Sequence, residues 1–197
     1  MKTLILLSTI ATLAIALAGN TSTSSASKPL VTTAAVQSKP VFSSRYTPLT
    51  GRGCGSGMTR KEEREAEKHG SDIPTRCKGV GGYDIDISYS ACTSEIQAEK
   101  GTERVQLASQ AVFWKQKTVE WRMAQSDGKT VPFAVIMRIY KHAGDDYCAT
   151  NGKVTAQFLV VKGLKGFEHI DEKIDVKTPN ANLKARQIAD EKYGLSL

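Results

Sequence analysis

Polar and apolar residues alternate strictly from Tyr83 to Ser90, with Tyr83, Ile85, Ile87 and Tyr89 on one parity and Asp84, Asp86, Ser88 and Ser90 on the other. A period of two predicts a strand with one face in the core and one in solvent. Val119-Glu120-Trp121-Arg122-Met123 repeats the pattern. Ser126-Asp-Gly-Lys129 then carries the Asp-Gly pair favoured in tight hairpins, so residues 131–142 are predicted to return as a neighbouring strand. In that run Phe133, Val135, Met137 and Ile139 fall on one face, and Ala134, Ile136, Arg138 and Tyr140 on the other. Apolar residues on both faces place it centrally in the sheet. Thr150-Asn-Gly-Lys153 reads as a further turn and residues 154–162 as a further strand.

The helical signals lie on either side of these strands. Thr59 and Glu62 have the spacing of a capping box, predicting a helix over 60–69 with Gly70 as its stop. Its faces are charged all round, with Glu63 placed to pair with Arg60 and Glu67 with Arg64 or Lys68, which marks a solvated element. Near the end of the chain Thr178 is a candidate cap, with Pro179 at the first helical position, Ala181, Ala185, Ile188 and Ala189 as the apolar stripe, and Gly194 as terminator. Antiparallel strands followed by a helix imply an α+β domain with a helix packed on one face of the sheet.

The first 44 residues are of another kind. Lys2 precedes an apolar stretch, Leu4 to Ala18, that is shorter than the ~20 residues needed to span a bilayer and ends in Ala16-Leu17-Ala18. Residues 1–18 are therefore expected to be a cleavable signal peptide, with the mature chain starting at Gly19 and carrying no transmembrane segment. Residues 19–44 are rich in Ser, Thr and Ala, lack any period, and read as a flexible basic tether dispensable for folding; a single domain is expected over 45–197. The formal charge of +7 becomes +6 without Lys2. Six basic residues and no acidic one lie between Gly19 and Lys61, whereas 20 basic and 20 acidic residues follow from Glu62 onward. The folded part is therefore neutral, which argues against nucleic acid as a partner despite the basic pI.

Candidate chemistry is sparse. Cys54, Cys77, Cys92 and Cys148 are even in number, and the closest pair is fifteen positions apart, so disulfides are favoured over a metal site or free thiols. His69, His142 and His169 stand in no metal-binding spacing. Asp145-Asp146 with Asn151-Gly152 lacks the ligand pattern of a calcium loop, and Asp84 with Asp86 fits an outward strand face better than an acid–base pair. No cofactor is expected. Among the aromatics, Tyr83, Tyr89 and Trp121 sit on core-facing positions, whereas Trp114, flanked by Lys115 and Lys117, is the candidate for an exposed binding surface.

One set of residues resembles a known group. Tyr46-Thr-x-Leu-Thr, Cys54, Arg76-Cys77-x-Gly79-x-x-Gly-Tyr83, Phe113-Trp114, Val119-Glu-Trp121-Arg122, Val135-Ile-x-Arg138, Phe158-Leu-Val-Val161, Ala181-Asn182 and Ala185-Arg186-x-x-Ala189-Asp190 together resemble a group of small exported proteins of Gram-negative bacteria. Lys78 departs from the proline usual in that group after the second cysteine. The resemblance implies compartment and architecture, periplasmic or secreted, and brings no catalytic residue. Four cysteines allow three connectivities. Cys54 with Cys77 is expected, because both occur in the resembling element and flank one short helical excursion; Cys92 with Cys148 would follow. Gly79, Gly81 and Gly82 are expected to supply backbone freedom at the entry to the first long strand.

These readings favour a non-enzymatic exported protein that binds an envelope component or a protein partner. A periplasmic hydrolase is the alternative if folding unites a histidine with Asp145, Asp146 or Asp171, and a lysozyme-type inhibitor is a further one. A neutral domain with a basic tail is a poor match for a basic lysozyme.

Overall fold

Turns with demanding backbone geometry punctuate the chain, and strands fill the intervals between them. A computed structural model describes residues 39–90, 93–109, 117–142 and 153–196. Among the described residues, ten strands form two five-stranded antiparallel sheets. The first sheet has the order β1 (Val41–Pro48), β7 (Thr118–Ser126), β8 (Lys129–His142), β9 (Val154–Gly163), β10 (Asp171–Asp175). The second runs β2 (Cys54–Gly55), β3 (Thr75–Lys78), β4 (Asp84–Ser90), β5 (Thr93–Lys100), β6 (Glu103–Ala108). Helix α1 (Arg60–Lys68) lies between β2 and β3, and α2 (Ala181–Tyr193) follows β10. The expected α+β class, with α2 on one face of a sheet and a clasped segment before it, is present; the strands divide between two sheets where one was expected.

The first sheet is the middle of three layers. One core cluster joins it to the second sheet through Ile85, Ile87 and Ile96 on one side and Val119, Trp121, Val135 and Met137 on the other. A second cluster joins its opposite face to α2 through Phe133, Ile136, Leu159, Ala185, Ala189 and Tyr193. Strand β8 is central, as its doubly apolar pattern predicts. The neighbouring β7 is buried continuously from Val119 to Ala124, so its alternation does not separate a core face from a solvent face.

The β7–β8 hairpin turns on Asp127 and Gly128, both at positive φ (51° and 74°), with Ser126 opposite Lys129. This is the two-residue geometry that the Asp-Gly pair favours. The pairing then slips: Arg122 faces Ala134, but Met123 faces Pro132, leaving Phe133 as an extra residue on β8. The bulge puts Phe133 on the same face as Ala134 and Ile136, away from Val135 and Met137 with which strict alternation had grouped it. Phe133 thereby joins Phe42, Phe167 and Tyr193 in an aromatic cluster, with its ring 5.6, 5.7 and 4.9 Å from theirs.

Two boundaries differ from expectation. Strand β1 begins at Val41, so residues 41–44, assigned to the tether, belong to the sheet. Phe42, between Val41 and the polar pair Ser43-Ser44, belongs to no sequence period, yet pairing with β7 puts Phe42 in the aromatic cluster and Ser44 among charged partners. Helix α2 starts at Ala181, not Pro179, and Asn180 precedes it in the left-handed conformation without a side-chain cap. The alanine stripe is buried as predicted, joined by Tyr193.

The clasp forms as expected, with Cys54 directly across from Cys77 on the β2–β3 ladder and a bond between their sulfurs. Cys92 and Cys148 lie outside the described residues, as do residues 1–38 and most of the Thr150–Lys153 turn. On α1 the Thr59–Glu62 capping box is complete, but the side-chain pairs are others than expected: Lys68 binds Glu65 at 2.7 Å, and Glu63 accepts from Ser56.

Gly79 has a different reason for being glycine than the one expected. Gly81 and Gly82 adopt positive φ, but Gly79 does not. A Cβ on Gly79 would stand 2.4 Å from the Trp121 ring and 2.7 Å from the Tyr83 carbonyl oxygen. Trp121, fully buried, donates from its indole to Thr47 at 2.8 Å and cannot retreat without breaking that bond. Gly79→Ala is predicted to destabilise the domain by about 2 kcal/mol, the usual cost of overpacking. Gly55→Ala, where the added methyl meets open space and φ is not positive, serves as the comparison for adding a methyl group without a clash. Urea melts of both variants measure the difference, and equal midpoints would remove the packing argument.

Candidate functional site

Strand β7 and helix α2 carry matched charges at matched spacing. Residues two apart on a strand rise by about 6.6 Å, and residues four apart on a helix by about 6 Å. Glu120 and Arg122 on β7 therefore lie opposite Arg186 and Asp190 on α2 with opposite signs in register. Arg186 grips Glu120 with Nε at 2.7 Å and a terminal nitrogen at 3.1 Å. Arg122 grips Asp190 with Nε at 3.1 Å and a terminal nitrogen at 2.7 and 2.6 Å from the two carboxylate oxygens. Ser44 of β1 lies between the pairs, receiving a hydrogen bond from Arg122 and donating one to Glu120, each 2.5 Å long. Tyr46 accepts from Arg186 at 2.9 Å. Arg122 and Glu120 are buried, with 6% and 9% of their side-chain surface exposed.

The carboxylates feel this differently. Burial would raise the Glu120 carboxyl, but hydrogen bonds from Arg186 and Ser44 and the Arg186 charge outweigh it and hold the group below its usual value. Burial does raise the Asp190 carboxyl, with the Glu120 charge adding to it and Arg122 offsetting only part. The Arg186 guanidinium is raised further, chiefly by its hydrogen bonds to Glu120.

Beside this network the sheet and α2 diverge into a cleft of two lobes. A polar lobe of 230 Å³ lies over the sheet, lined by Tyr46, Thr118, Glu120, Arg138 and Arg186 among others. The second, 460 Å³, lies against the first turn of α2 and adds Val176, Thr178, Asn180, Ala181 and Leu183. Arg138, Asn182 and Arg186 line both. Arg138 projects from β8 on the α2 side and donates to the neutral Gln157 side chain at 3.1 Å. Among the described residues it has no carboxylate partner.

The residues singled out from sequence lie elsewhere. Trp114 and Lys115 fall outside the described residues; Lys117 is exposed, its carbonyl accepting from Leu49 at 2.9 Å. Asp84 and Asp86 face outward from the second sheet and pair with Lys78 (2.9 Å) and Arg76 (3.2 Å), which makes them members of a cross-strand charge ladder. His169 contacts the Lys192 carbonyl at 2.8 Å near the C-terminal end of α2, and Asp171 pairs with Lys162 at 2.6 Å. His69 is exposed at the end of α1, the side chain of His142 is not among those described, and Asp145 and Asp146 lie outside the described residues. A separate 470 Å³ cleft contains Tyr83, Lys100, Glu103 and Lys165. There Tyr83 donates to Glu103 at 3.2 Å and Lys165 to the same carboxylate at 2.9 Å. Burial first, and the Glu103 acceptor second, push the Tyr83 phenol up, so it stays a donor and not a base.

Glu120, Arg122, Arg138, Arg186 and Asp190 are thus the functional candidates that pattern reading missed. The available signal was the opposite order of charge in Glu-x-Arg on a strand and Arg-x-x-x-Asp on a helix. Comparison with protein-family models, characterised proteins and solved structures returns no match.

Two predictions test the network. Arg122→Met leaves Asp190 half-buried without its cation and is predicted to cost about 3 kcal/mol. Adding Asp190→Leu should recover a large part of that loss in a denaturant-melt double-mutant cycle, since an apolar pair leaves no unpaired charge. The second concerns pH. A carboxyl held below its ordinary value of 4.5 stabilises the fold above that value, and the contribution is lost as pH falls through the lower folded-state value. Glu120→Gln should therefore melt below the wild type near neutrality, and the two melting curves should converge as pH falls below 4.5; a constant offset across the range would contradict this.

Proposed function

We propose that this protein is an exported, non-enzymatic binding protein whose recognition site is the arginine-lined cleft between the first sheet and α2. The observation carrying this reading is Arg138: a guanidinium shared by both lobes of the cleft, with only a neutral partner among the described residues. Charged groups committed to structure are usually paired with counter-charges, as Arg122 and Arg186 are here. The two carboxylates at the site are each held by an arginine fork, which suits a scaffold and does not suit an acid or base that must exchange a proton during turnover. Export is supported by the Cys54–Cys77 disulfide, a bond that persists in oxidising compartments, and by the apolar leader with its small-residue cleavage site. The partner is an envelope component or an envelope protein.

The test is site-specific photocrosslinking with solubilised bacterial envelope. A photoactivatable residue in place of Asn182, which lines both lobes, should capture a partner. The same residue in place of Glu95, exposed on the outer face of the second sheet, should not. A yield from Asn182 no higher than from Glu95 would mean that the cleft is not the recognition site.

A further inference from the structure

We propose that the cleft selects a monoanionic carboxylate borne on an aliphatic group, as at the C-terminal end of a peptide; this rests on the reading of the cleft as the recognition site. Three arginines face the interface between the sheet and α2. Two of them, Arg186 and Arg122, each hold a carboxylate in a two-pronged grip. The third, Arg138, gives one hydrogen bond among the described residues, to Gln157, out of the five N–H donors that a guanidinium carries. The planar fork matches a planar carboxylate, and Arg138 lines both lobes of the cleft.

Charge sets the valence. Two guanidiniums and one carboxylate, Arg138, Arg186 and Glu120, line the sheet-side lobe and leave one net positive charge. A carboxylate neutralises it. A phosphate monoester carries about −1.5 to −2 and would overshoot it, with the Glu120 carboxylate in the same lobe. Size and polarity set the rest. The 230 Å³ polar lobe is below the ~300 Å³ of a typical whole-ligand pocket, so it suits a terminal group. The 460 Å³ lobe beside it has a mixed lining, with Val176, Ala181 and Leu183 among Thr178, Asn180 and Asn182, and Leu183 is 51% exposed. An apolar side chain exposed at the wall of a charged cleft fits a ligand whose acid carries an aliphatic substituent.

The experiment titrates the mature protein with N-acetyl-alanyl-leucine, its C-terminal amide, isocaproate and inorganic phosphate, followed by heteronuclear NMR of the arginine Nε–Hε groups. The free-acid dipeptide should shift the Arg138 signal saturably. The amide and phosphate should each bind at least about tenfold more weakly, a difference of about 1.4 kcal/mol. Isocaproate distinguishes sources: binding equal to the dipeptide identifies a simple aliphatic acid, weaker binding a peptide end. Arg138→Gln should abolish saturation, Arg138→Lys should give intermediate affinity by keeping charge and losing the fork, and Leu183→Ser should weaken the dipeptide several-fold. Circular-dichroism melts confirm that each variant is folded, and a misfolded Arg138→Gln leaves the decision to the lysine variant. Equal response to acid and amide, a preference for phosphate, or undiminished affinity in a folded Arg138 variant would overturn the proposal. If those results came with selective crosslinking from Asn182, the carboxylate class alone would fall. Loss of the crosslinking too would remove the cleft as the recognition site.

Discussion

The register of α2 on the first sheet is fixed by two arginine–carboxylate forks, and the cleft depends on that register. The helix offers the sheet a stripe of Ala181, Ala185 and Ala189. Alanines permit close approach, but at about 0.8 kcal/mol per buried CH₂ they supply little energy, and their small side chains give no knobs to resist sliding. Asn180 adds no side-chain cap. Tyr193 anchors one end in the aromatic cluster, through rings 4.9 to 5.3 Å away. The Glu120–Arg186 and Arg122–Asp190 pairs determine how far along the sheet the helix sits. A shift by one residue turns a helix by about 100° and would leave all four charges without their partners, in a site where an unpaired charge is costly. The pairs' net contribution to stability is smaller than their contribution to specificity, because desolvating them offsets most of their attraction.

Strand β7 is the seam of the molecule for the same reason. Its odd residues, Val119, Trp121 and Met123, face the second sheet, and Glu120 and Arg122 face α2. Trp121 is clamped by Thr47 of β1 and by the close backbone at Gly79, so the two sheets are locked together at the point where the charge network is anchored on the other face. Ser44 and Tyr46 of β1 bond to the network, and Thr47 bonds to Trp121, which makes β1 a brace across both faces of β7. Removing residues 41–44 would take away Phe42 and Ser44 together, so these residues belong to the folded domain.

The cleft is a by-product of where α2 begins. Had the helix started at Pro179, its first turn would have extended over the region that Asn180, in the left-handed conformation, now leaves open beside Thr178 and Val176. Arg138 comes from β8, two residues beyond Ile136, and on the same face. Its position follows from the Phe133 bulge, which sets which residues beyond it turn toward the helix.

Local periodicity determined a good deal by itself. The clean alternation at 83–90, the Asp-Gly hairpin, the central place of β8, the α1 capping box and the Cys54–Cys77 clasp are all short-range or pairwise features, and the structure contains each of them. Tertiary structure decided the rest. An alternating Val-Glu-Trp-Arg-Met reads as half-exposed because a charged residue in water and a charged residue facing a complementary helix leave the same pattern; only the approach of α2, more than sixty residues later, buries Glu120 and Arg122. Phe42 belonged to no apolar period in sequence and gained its aromatic partners in space. The bulge at Phe133 inverts a face by inserting one residue, a choice made by packing against Phe42, Phe167 and Tyr193 and not by any residue's own preference. Arg138 was visible in the chain throughout, but its having only a neutral partner among the described residues is a property of its surroundings, and surroundings exist only once distant segments have met.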